Sequence, residues 1–101
     1  VEPFLRQGMT TIVGGNCGFS PAPLSEHNRE AARASSRLIV DDEVELRWQT
    51  LAGYLDLLEQ TPLPLNVAEL VGHGAVRSAV TGTLNPAAPS AAELEEMERL
   101  V

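Results

Sequence analysis

The chain has 101 residues, 44% apolar and 21% charged, enough for one small core and unlike the composition of a disordered tail. Fourteen acidic residues face seven arginines and no lysine, and the net charge of −7 repels phosphate backbones and anionic lipid, which argues against nucleic-acid and membrane-surface partners. No apolar run approaches the roughly 18 residues of a membrane span, Val1-Glu2-Pro3-Phe4 lacks a basic leader pattern, and a lone cysteine cannot close an internal disulfide, so the cytoplasm is the expected compartment.

In chain order, the first element is Thr10-Thr11-Ile12-Val13, a short β-branched run ended by Gly14-Gly15. Its lack of polar alternation predicts a parallel strand near residues 10–14, covered on both faces. Residues 25–39 predict a weaker helix, because Ala31, Ala32, Ser35 and Leu38 offer only a thin apolar face. Val44, Trp48, Leu51, Leu55 and Leu58 recur at steps of four and three, so they predict a helix near residues 45–60 that Thr61-Pro62 stops. Asp41, Asp42, Glu43 and Glu45 crowd its expected start, where carboxylates favour the positive end of the helix dipole. The run from Leu65 to Val71, ended by Gly72-His73-Gly74, predicts a second strand near residues 65–72. Strand, helix and strand make a βαβ unit. Asn85-Pro86-Ala87-Ala88-Pro89 reads as a stiff connector, and Ser90 with Glu93 forms a capping-box pattern for a helix near residues 90–101 carrying Leu94, Met97 and Val101.

Chemistry concentrates in two glycine-flanked turns. The first strand runs into Gly15-Asn16-Cys17-Gly18, which puts a thiol at a strand's carboxyl end, where glycine on both sides permits close approach to a ligand. By itself a lone cysteine more often serves as a small apolar residue. The spacing does not match GxGxxG or a Walker loop. His73 follows the second strand and predicts a hydrogen-bonded histidine in a tight turn, with an approach to substrate or to the surroundings of a metal as the functional alternative. Arg77 predicts a structural ion pair ahead of a role in gripping a substrate carboxylate. His27, among polar residues, predicts an exposed side chain.

Gly8-Met9-Thr10-Thr11-Ile12-Val13, running into Gly15-Asn16-Cys17-Gly18-Phe19-Ser20-Pro21-Ala22-Pro23, resembles the second-strand segment of the D-aminoacylases, the N-acyl-D-amino-acid deacylases of the amidohydrolase superfamily. Trp48 with Tyr54-Leu55-Asp56, Asn66-Val67-Ala68, Leu70-Val71-Gly72-His73-Gly74 and Arg77 follow in the order that family shows. Gly14 stands where a branched apolar residue is the family's expectation.

The resemblance implies an α/β fold: a fragment, strand-helix-strand-helix, of a metal-dependent (β/α)8 barrel of TIM type, whose complete form takes roughly 250 residues. Residues 1–101 would be a partial catalytic barrel domain. It also implies zinc held by Cys17 together with histidines outside this sequence, and hydrolysis of the acyl amide of an N-acyl-D-amino acid. Asn16, His73 and Arg77 would lie near substrate or around the metal. No catalytic acid or base falls in this segment, because Asp56 and the cluster at Asp41 sit away from strand ends. A catalytic zinc needs three protein ligands, so the 101-residue chain alone is expected to be inactive and, with uncovered strands, to self-associate. Two alternatives remain open at this stage: a cyclic-amide hydrolase of the same superfamily, and a non-enzymatic acidic helical module associating through the Trp48–Leu58 stripe.

Overall fold

The computed structural model describes residues 1–37, 45–85 and 87–101. Two strands, β1 (Thr11–Gly14) and β2 (Asn66–Glu69), pair in parallel with Thr11 opposite Asn66 and Gly14 opposite Glu69. Five helices accompany them: α1 (Glu2–Arg6), α2 (Arg29–Ser36), α3 (Leu51–Glu59), α4 (His73–Thr81) and α5 (Ala91–Arg99), among the described residues. No helix among those residues is long and apolar enough to cross a membrane.

The ladder is short because glycine ends β1 and because β2 gives way at Leu70 to the turn before α4. Along both strands exposed and half-buried residues alternate, so Ile12, Val67 and Glu69 occupy one face and Thr11, Val13 and Ala68 the other. Cover on both faces was the expectation; here Val13 is 54% exposed, and only one side has shelter. Glu69 of β2 lies within electrostatic reach of Tyr54 of α3. Burial first, and then the Glu69 charge, pushes the Tyr54 hydroxyl's pKa up.

The crossover helix differs from the expected one. Thr50 caps it, its Oγ1 accepting the Gly53 N–H at 3.1 Å, so α3 starts at Leu51 rather than near residue 45. Trp48 therefore precedes the helix. Its segment is held by other partners: Leu24 N–H donates to the Gln49 carbonyl at 2.7 Å, the Arg29 guanidinium reaches the Leu46 carbonyl at 2.5 Å, and Trp48 Nε1 donates to the Pro21 carbonyl at 2.7 Å. Trp48 also packs its ring against Tyr54 with centroids 4.9 Å apart. Asp41, Asp42, Glu43 and Val44, like Leu38, Ile39 and Pro86, lie outside the described residues.

The core lies beside the sheet rather than beneath it. Ala22 and Leu24 from the loop after β1, Leu46, Val76 and Ala79 of α4, and Met97 of α5 are buried together with Asn28. Asn28, 5% exposed, accepts the Ser25 N–H at 2.8 Å and donates to the Pro23 carbonyl at 3.1 Å, with longer contacts to the Ala75 carbonyl and Ser78 Oγ of α4. Ser25 Oγ donates to the Ala79 carbonyl at 2.6 Å. These bonds fasten the loop that follows β1 onto the helix that follows β2. At the chain's far end Ser90 and Glu93 form the reciprocal capping box, which sets the start of α5 and holds the exposed Glu93 carboxyl below the usual range through its Ser90 backbone and side-chain bonds.

Candidate functional site

Both strands deliver their carboxyl ends to one place. After Gly14 the chain turns through Gly15 (φ 78°, ψ 17°) into a 3₁₀ turn, Asn16–Gly18. Cys17, at its centre, adopts left-handed angles (φ 57°, ψ 25°) and is alone in this among the described non-glycine residues. A side chain there costs about 1–2 kcal/mol, so the surrounding contacts must hold it. Asn16 Nδ2 donates back to the Val13 carbonyl at 3.0 Å, and Phe19 N–H closes the turn on the Asn16 carbonyl at 3.0 Å. The Cys17 thiol is free and exposed.

After β2, Leu70 and Val71 lead to Gly72, the cap of α4. The two turns interlock through glycines. A Cβ on Gly15 would stand 2.2 Å from the Leu70 carbonyl oxygen, one on Gly72 2.5 Å from the Gly18 oxygen, and one on Gly74 2.7 Å from that same oxygen. Ser20 Oγ accepts the Gly72 N–H at 3.0 Å and donates to the Ala22 carbonyl.

His73 does not sit in a tight Gly-His-Gly turn: it is the first residue of α4, exposed, with no side-chain hydrogen bond among the described residues. The physical reason is burial, since Val76 and Ala79 dock on the core and carry the helix back to Gly72. Among the described residues Arg77 forms no ion pair. It reaches forward instead, its Nη2 donating to the Asn85 carbonyl at 2.7 Å and to the Ala87 carbonyl, and so ties down the loop before α5. That is a structural tie, made to carbonyls in place of the expected ion pair. His27 is exposed, as its polar neighbours predict, in the turn before α2 rather than on it.

Among the described residues no group of three or more His, Cys, Asp or Glu side chains could enclose a metal. What the chain presents is one soft sulfur donor on an open turn, which fits zinc as a single ligand of a site completed from outside. Sequence reasoning overlooked Ser20, Gly72 and Gly74 as the supports of that turn, and α4 itself. The spacing of Val76, Ala79 and Val80 carried a signal for the helix; nothing local signalled the Ser20 bond.

No family model matches the chain. Individual relatives do. It is 42% identical over 88 residues to a D-aminoacylase and 40% identical over 96 residues to an N-acyl-D-glutamate deacylase, both from Alcaligenes xylosoxydans xylosoxydans. These alignments take in 87% and 94% of this chain but 17% and 18% of the relatives. The crystal structure of N-acyl-D-glutamate deacylase from Bordetella bronchiseptica, complexed with zinc and a phosphonate mimic of the tetrahedral intermediate, superposes with a TM-score of 0.69 at 32% identity, over 95% of this chain and 19% of that one. The chain spans under a fifth of the length of these proteins, and in sequence and fold it is a homologue of one segment of the D-aminoacylase and N-acyl-D-amino-acid deacylase family.

Proposed function

We propose that this chain is part of a zinc-dependent amidohydrolase that removes the acyl group from N-acyl-D-amino acids, and that Cys17 is one of its zinc ligands. The observation that carries the reading is the exposed, left-handed Cys17 at the carboxyl end of β1, in a chain 32% identical to a deacylase whose structure holds zinc. Parallel strands that place functional turns at their carboxyl ends suit a segment of a (β/α)8 barrel. The face bearing Val13 would be covered by neighbouring strands and their side chains.

Zinc, when bound, acts as a Lewis acid toward the amide carbonyl and acidifies water. This chain's own work is to supply a thiolate and to aim it. Asn16 pins the turn to the strand by its bond to the Val13 carbonyl, and His73, exposed at the neighbouring strand end, would be the residue that approaches substrate. Arg77, whose Nη2 is engaged by two backbone carbonyls, would serve chiefly to tie down the loop before α5. The general base lies outside these residues. A reducing, cytoplasmic setting agrees with a free thiol.

Cys17→Ala in the complete enzyme tests the proposal. The expected outcome is loss of tightly bound zinc and of most deacylase activity, while His73→Asn keeps its zinc. Full metal content and ordinary turnover in Cys17→Ala would overturn the assignment.

A further inference from the structure

Gly72 and Gly74 have no side chain to offer a metal, yet they bear directly on where Cys17 points. We propose that Gly72, Gly74 and Ser20 are positioning residues: they hold the Asn16–Gly18 turn in the orientation that presents the Cys17 sulfur to the metal. The inference rests on the reading of Cys17 as a zinc ligand and adds to it the device that aims the ligand.

Glycine is not needed at these two positions for backbone freedom. Gly72 has φ −77° and ψ 123°, angles open to any residue, and Gly74 lies within α4, where glycine costs about 1 kcal/mol relative to alanine. What glycine provides there is space, and one group fills it. The Gly18 carbonyl enters the first turn of α4 so closely that a methyl on Gly72 would stand 2.5 Å from its oxygen and 2.6 Å from its carbon, and a methyl on Gly74 2.7 Å from the oxygen. Each contact is with backbone, which cannot swing aside as a side chain can.

The turn needs such a clamp. Cys17 is held against the preference of an L residue, and the turn's own bonds act on either side of it: Asn16 Nδ2 on the Val13 carbonyl at its entry, and the Phe19 N–H, part of the Gly18–Phe19 peptide, on the Asn16 carbonyl at its close. From outside, that peptide packs into space that only glycine at 72 and 74 leaves open and, one residue further along, the Gly72 N–H donates to Ser20 Oγ at 3.0 Å. A bulkier residue 72 must push that peptide away, and the adjoining Cys17 side chain turns with it.

The test uses the complete enzyme with Gly72→Ala, Gly74→Ala, Ser20→Ala, Ser20→Thr and Cys17→Ala, read by zinc affinity in chelator competition and by the thiolate-to-metal absorption of the cobalt-substituted protein. Circular dichroism identifies the folded variants. Gly72→Ala is expected to bind zinc about 10- to 100-fold more weakly, the range for residues that orient metal ligands, with a displaced or weakened thiolate band. Ser20→Ala should move both readouts the same way by less, and Ser20→Thr, which restores the hydroxyl, should recover them. Wild-type affinity and absorption in Gly72→Ala, or equal losses in the two Ser20 variants, would overturn the inference. If Gly72→Ala does not fold, Gly74→Ala and the Ser20 pair decide. Tight zinc in Cys17→Ala would instead overturn the ligand assignment, whereas lost zinc there with intact zinc in Gly72→Ala overturns the clamp alone.

Discussion

Replacing Asn28 should unfasten the loop after β1 from α4. The side chain is buried and makes two short bonds, from the Ser25 N–H at 2.8 Å and to the Pro23 carbonyl at 3.1 Å. Together they contribute about 1 kcal/mol net, at about 0.5 kcal/mol each, and a Ser25 N–H left without a partner costs about 1–3 kcal/mol more. Asn28→Ala is therefore expected to lose about 2–4 kcal/mol, a large share of the roughly 5–15 kcal/mol that holds a domain together. In urea that is a midpoint drop of roughly 1–3 M, measured by circular dichroism at several protein concentrations. Asn28→Asp separates the two directions of bonding. It keeps the acceptor for Ser25 but turns a carboxylate toward the Pro23 and Ala75 carbonyls, so its penalty should shrink on acidification, when one donor returns. A loss below about 0.5 kcal/mol in Asn28→Ala, or an aspartate variant as stable as the parent at neutral pH, would refute the reasoning.

Ser90→Ala removes the cap of α5 and should cost about 1 kcal/mol, read from the melting temperature. Because Ser90 holds the Glu93 carboxyl below its usual range, that contribution is present above the unfolded value and fades as pH falls through the lowered folded one, so the parent should lose more than the variant in acid. Burial pushes the Glu69 carboxyl up, so its ionisation opposes folding: stability falls as pH rises from the unfolded value through the raised one. Glu69→Gln should flatten that fall, and an unchanged pH slope would count against it. The 101-residue chain alone should sediment as more than a monomer and show no deacylase activity with zinc; a stable monomer that turns over substrate would contradict the proposal.

What could be read from the residues was what neighbours in sequence decide. A β-branched run closed by glycine gives β1, and Ser90 with Glu93 gives the start of α5, because a cap involves residues three apart. The stripe through Trp48 and Leu58 has helical spacing, yet the helix takes only its later part. The rest of it answers to Pro21, Leu24 and Arg29, which lie far back in the chain. Gly72-His73-Gly74 suggests a turn by composition, and only the burial of Val76 and Ala79 makes it a helix start. The cysteine's chemical type was legible at once. Its left-handed backbone and the glycines packed against its turn were not, because they depend on an encounter between two loops.

The parallel pair joins Asn66 to Thr11 across 55 residues of chain, and this separation bears on the order in which the molecule assembles. Helices α3 and α5 carry their own caps and form from contacts between near neighbours, whereas the ladder repays its loop-closure entropy only after the whole intervening segment is in place. The Gly15–Leu70 and Gly18–Gly72 contacts require that register to exist already. The thiol turn is thus among the last parts to take its final shape, and a nascent chain exposes Cys17 on a pliable loop before it offers a metal a formed site.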